Sequence, residues 1–144
     1  MDTNLDTTAN YTLAYFGLLL MLLTLVVQSV IAASIKAKQP GAIPGKMPAE
    51  LSHDSLVFRA QRTFMNSLEN TPAMALSGLL AINVGAHAVL TGALLLIYAL
   101  ARIIHMILYY KIATEQNPSP RSYFYLLGLI ANLMILGLIA VALL

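Results

Sequence analysis

The sequence predicts an all-α protein, an integral membrane four-helix up-and-down bundle forming one domain. Three observations point there. The 144-residue chain is 59% hydrophobic and only 10% charged, with a mean hydropathy of +0.78, far from the balance of soluble domains. Apolar residues gather at 11–35, 64–84, 88–110 and 123–144, each near the roughly 20 helical residues that cross a hydrocarbon core of about 30 Å. All eight Lys and Arg residues lie between Lys36 and Arg121, and all but Arg102 fall outside the apolar runs, around the connections.

The first helix is expected at 11–35. It is too long for a cleaved signal peptide and its flank, with Asp2 and Asp6, too acidic, so it reads as a retained span. Residues 36–51 form the one sizeable loop, where Pro40, Pro44, Pro48, Gly41 and Gly45 interrupt helix and sheet alike. Ser52, Asp54 and Ser55 are cap candidates for a second helix, expected at 57–84 and kinked at Pro72. Counted from Ser52 to Val84 it is about 33 residues and about 50 Å long, so it overshoots the bilayer. Gly85 to His87 is a tight connection into a third helix at 88–112. Asn117-Pro118-Ser119-Pro120 then closes that helix and opens a fourth at 121–143.

Lys36, Lys38, Lys46, Arg59 and Arg62 flank the first connection and Lys111 and Arg121 the third, whereas the second has no cation. By the positive-inside rule the first and third connections are cytoplasmic and both termini outside. The short loops and the retained first span fit a bacterial inner membrane. The chain has no cysteine, so any thiol chemistry uses a thiol brought by a substrate. His53 and His87 read as loop residues without metal-site spacing, and neither a metal nor a nucleic-acid partner is expected.

The informative polar residues fall on two helical faces. Arg59, Arg62, Asn66, Glu69 and Asn70 lie within an arc of about 100° on the second helix. Tyr98, Arg102, His105 and Tyr109 cover about 60° of the third. Arg121 and Tyr125 sit one turn apart at the same end of the fourth. Ionisable groups in a span mark function or pair with one another, and depth places Glu69 beside Arg102, so a buried ion pair between them is expected. The outer halves of the spans are nearly bare of polar side chains, which describes a pocket open to one side rather than a path across the membrane. Plainer readings compete at several positions. Arg59 and Lys111 read as interfacial anchors, as do Tyr11 and Tyr15 at the outer face; Tyr109, Tyr110, Tyr123 and Tyr125 suit an aromatic belt. His105 has a second reading as a hydrogen-bonding core residue, and Gly128, Ala131 and Gly137 suit close helix packing.

Arg62, Asn66, Glu69 and Pro72, then Ala101-Arg102 with His105 and Tyr109, then Pro120-Arg121-Ser122, occur in an order and at spacings that resemble the MAPEG family, the membrane-associated proteins in eicosanoid and glutathione metabolism. The likeness to bacterial members related to microsomal glutathione S-transferases extends over nearly the whole chain. It departs at Phe64, where relatives carry a polar residue, and at Asn70, where some carry an aromatic one. The resemblance implies a homotrimer with glutathione as co-substrate, bound between protomers near the cytoplasmic side. It implies a glutathione S-transferase, with glutathione peroxidase activity as a further option, acting on a lipophilic electrophile or lipid drawn from the surrounding membrane lipids. Arg121 takes the position of the thiol-activating arginine, and Lys36, Arg62, Asn66, Glu69, His105 and Tyr109 take positions that bind glutathione or support its site. The departures leave room for a non-catalytic lipid-binding or partner-presenting protein on the same scaffold. A small transporter is a third class, disfavoured by the bare outer half.

Overall fold

The computed structural model describes residues 10–46 and 52–144. The described residues form four helices and no strand: α1 Thr12–Ala37, α2 Leu56–Asn83, α3 Ala88–Lys111 and α4 Pro120–Leu143. Residues 47–51 of the expected first loop, and the acidic flank with Asp2 and Asp6, lie outside the described residues.

Local chemistry sets the helix ends. Ser55 caps α2 by accepting from the Phe58 amide, and His87 does the same for α3 from the Leu90 amide. Between them the chain turns at Gly85, whose φ of +71° needs no Cβ to be accommodated. The Ala86 amide returns to the Ala81 carbonyl and the Gly85 amide to the Ile82 carbonyl, a Schellman closure that satisfies the last carbonyls of α2. Tyr11 is no interfacial anchor: it is buried, and its hydroxyl donates to the Ala86 carbonyl, tying the start of α1 to this turn. At the far end Pro120 opens α4 behind Ser119, whose amide donates to Ser122 Oγ at 3.2 Å.

The short connections make consecutive helices antiparallel, and α3 packs against all three others. Its face carries Leu95, Tyr98 and Ala99 into a core shared with Ala14, Leu18 and Met21 of α1, Met74 and Ala81 of α2, and Ala131 and Ile135 of α4. Two glycines let α1 and α3 approach closely. A Cβ on Gly17 would lie 2.8 Å from Leu95 Cβ and 3.0 Å from the Leu95 carbonyl carbon, and one on Gly92 would lie 2.8 Å from Leu13 Cβ. Gly128 serves the expected packing role against Tyr98, but Gly137 meets nothing within 4 Å in the chain.

Three helices, α1, α3 and α4, are long and apolar enough to cross a membrane. Their outward faces are aliphatic: Leu19, Leu22, Val26 and Val30 on α1 and Leu126, Leu133 and Leu136 on α4 are all exposed. The 28 residues of α2 span about 42 Å at 1.5 Å each, but this helix carries Arg59, Arg62, Asn66, Glu69 and Asn70 and is far less apolar.

Candidate functional site

The ends of α1 and α3 and the beginnings of α2 and α4 share one end of the bundle, and the polar residues of three helices meet there. On α3 the predicted stripe is the buried face: Tyr98, Arg102, His105 and Tyr109 are each exposed by less than a tenth. The stripe on α2 instead crosses the rim of that helix's buried face. Arg59 turns inward, Asn66 and Asn70 are half-buried, and Arg62 and Glu69 are exposed.

This arrangement overturns the expected ion pair between Glu69 and Arg102. Arg102 Nη2 donates to Asn66 Oδ1 at 2.7 Å and to Ser67 Oγ at 2.9 Å, so neutral oxygens one turn nearer the helix start receive the guanidinium. Glu69 lies about 200° around α2 from Ser67, on the outer side. Depth matched; azimuth did not. Arg59 is likewise no headgroup anchor. Its Nη1 donates to the His53 carbonyl at 2.6 Å and the Asp54 carbonyl at 2.8 Å, and its Nη2 reaches the Tyr110 carbonyl at 3.4 Å, stitching the approach to α2 onto the end of α3.

A cavity of about 230 Å³ opens where α2, α3 and α4 converge, lined by Asn66, His105, Tyr109, Arg121, Ser122 and Tyr125. The Arg121 guanidinium carbon stands 4.1 Å from the centroid of the Tyr109 ring, a cation–π contact that fixes the charge over the ring face. Its Nη2 donates to the Thr114 carbonyl at 3.1 Å, whereas its Nη1 is buried without a hydrogen-bond partner. His105 tilts against the same tyrosine with ring centroids 5.4 Å apart, and its Nδ1 is also buried and unpartnered. Buried polar atoms are nearly always satisfied, yet these two nitrogens, like Nε of Arg59 and of Arg102, have no partner within the described residues.

Of the residues singled out from sequence, Asn66, His105, Tyr109 and Arg121 thus share one cavity. Lys36 does not join them within the chain: it borders a separate cavity of about 370 Å³ with Ala33, Ala37, Ala42, Ile43, Pro44 and Gly45. Arg62 and Glu69 face outward from α2. Ser122 and Tyr125 join the lining, the first signalled by its place in the Pro-Arg-Ser run and the second by its one-turn spacing from Arg121. His53 was read as an ordinary loop residue, yet its Nε2 lies 3.3 Å from the Tyr109 hydroxyl. No local pattern announces a contact across 56 positions.

The helices and the cavity together define a multi-pass helical membrane protein with a cation-bearing cleft at one end of its bundle. The sequence profile of the MAPEG family matches residues 11–141, nearly the whole chain, and the protein belongs to that family. A search of curated proteins and a search of solved structures each found no match.

Proposed function

We propose that this protein is a membrane glutathione S-transferase that holds the glutathione sulfur as a thiolate for attack on lipophilic electrophiles, with reduction of lipid hydroperoxides as a second outlet for the same nucleophile. The observation that carries the reading is Arg121: a guanidinium clamped by the Tyr109 ring and the Thr114 carbonyl, with Nη1 uncommitted, in the lining of the cavity it shares with Asn66 and His105. A thiol of ordinary pKa, about 8.5, is mostly protonated at neutral pH, and a fixed cation favours its anion. Each pKa unit removed corresponds to about 1.4 kcal/mol. Arginine keeps its proton, so Arg121 acts by electrostatic stabilisation and not as a base. His105, Asn66, Ser122 and Tyr125 supply further polar contacts around the same volume.

Glutathione carries two carboxylates and an ammonium, and a cavity of about 230 Å³ suits only part of such a tripeptide. The remaining groups call for more cations and a carboxylate, which Arg62, Lys36 and Glu69 provide on surfaces outside this cavity. In a homotrimer those surfaces face a neighbouring protomer, so the complete site lies between subunits, with the cation-rich end toward the cytoplasm of a bacterial inner membrane. Glutathione titrated into detergent-solubilised protein is expected to raise its melting temperature and to produce thiolate absorbance. Tight copurifying lipid with no response to glutathione decides instead for a non-catalytic lipid-binding member of the family.

A further inference from the structure

A thiol that becomes a thiolate releases a proton, and Arg121 cannot take it. Behind Tyr109 stand groups that can. His53 Nε2 is 3.3 Å from the Tyr109 hydroxyl, and the two rings stack with centroids 5.9 Å apart at an interplanar angle of 30°. On its other side His53 Nδ1 is 3.5 Å from a Glu115 carboxylate oxygen. Tyr109 is buried and lines the cavity, the His53 side chain is 24% exposed and that of Glu115 is 72% exposed, so the three lead from the cavity to solvent.

The His53 ring is held in place from several sides. Phe58 of α2 meets it edge-on at 5.0 Å, and the Arg59 guanidinium is spent on the His53 and Asp54 carbonyls. The neighbouring Asp54 carboxylate accepts from Ser52 Oγ at 3.4 Å. Around Tyr109 the charged or titratable groups are Arg121 of α4, over its ring, and His105 of α3. His105 also lines the cavity, but it is only 3% exposed and its Nδ1 has no partner among the described residues to pass a proton to.

We propose that Tyr109, His53 and Glu115 form a proton relay that carries the thiol proton from the cavity to water; this rests on the glutathione reading above. The sulfur–hydrogen bond breaks with its electron pair left on sulfur, beside Arg121. The Tyr109 oxygen takes that proton as its own passes to His53 Nε2. The imidazolium so formed, held against the Glu115 carboxylate, then releases one proton to water, and the relay regains its starting charge. The hydrogen bond of 3.3 Å and the ion-pair contact of 3.5 Å are loose, as acid–base contacts often are before substrate tightens them.

The test is rapid mixing of the full-length protein in nanodiscs with glutathione, following thiolate absorbance and, with an indicator dye, proton release. His53→Gln is expected to slow thiolate formation by about 10²-fold while leaving its final amplitude intact, because Arg121 sets the equilibrium and the relay sets the rate. Free imidazole is expected to restore the rate in His53→Ala, which a purely structural role does not explain. Glu115→Gln, at a position 72% exposed, is expected to slow both signals in parallel and decides the matter if the histidine variants fail to fold. Unchanged rates, or slow rates that imidazole leaves slow, overturn the relay. Absence of any thiolate signal in the unaltered protein overturns the glutathione reading and the relay with it.

Discussion

Arg102 and Arg121 stand near the same end of the bundle and do different work. Arg102 is 2% exposed, and its Nη2 is committed to Asn66 and Ser67, so it joins α3 to α2. Ser67→Ala, which removes one of those acceptors without touching the cavity lining, is expected to cost about 1–3 kcal/mol and lower the thermal midpoint while the glutathione response persists. Arg121 instead lines the cavity and is positioned by an aromatic face, with its Nη1 uncommitted. Tyr109→Phe preserves that face and is expected to retain the equilibrium thiolate signal. Tyr109→Leu removes a contact worth about 0.5–2 kcal/mol and is expected to lose much of it. A Leu variant with full signal shows that the ring does not position the charge. Both arginines were visible in the sequence as motif members. What spacing could not supply was the partner of each, because residue number gives depth along a helix readily and azimuth about a neighbouring helix hardly at all.

Glycine and capping residues decide how the helices meet. Adding a methyl group at Gly17 forces α1 away from the Leu95 backbone, which cannot swing aside as a side chain tip does. Gly17→Ala is therefore expected to destabilise by about 1–3 kcal/mol, against a few tenths or less for Gly137→Ala, where no atom of the chain lies within 4 Å. Thermal unfolding in one detergent compares the two; equal midpoints contradict the close approach. The helices themselves were legible because apolar run length, Pro and Gly punctuation and the Ser55 cap all act locally. The second helix was harder. Its polar stripe announced a special face, but that face proved to be the rim of the buried surface, so one stripe divides into inward Arg59, half-buried Asn66 and outward Arg62 and Glu69. Arg59 looked like an anchor because its acceptors are carbonyls, which leave no mark in a side-chain sequence.

At the scale of the molecule, three strongly apolar helices pack with an α2 that exposes Arg62 and Glu69 to whatever lies outside the protomer. Bare charges against hydrocarbon are costly, so these positions suit an interface between copies in the proposed homotrimer, and Glu69→Ala is expected to shift native mass spectra toward monomer. Spectra unchanged by the substitution place Glu69 elsewhere than at such an interface. The four residues that share the cavity were legible as motif positions, whereas His53 and Glu115 come to Tyr109 through connections that fold from opposite sides of the chain. The central claim is that the Arg121 charge holds a glutathione sulfur as its anion. Difference absorbance of the thiolate at saturating glutathione, read for the unaltered protein and for Arg121→Ala, measures it most directly. A band present in the first and absent from the second, with both proteins equally folded, is the predicted result; an equal band in both contradicts the account.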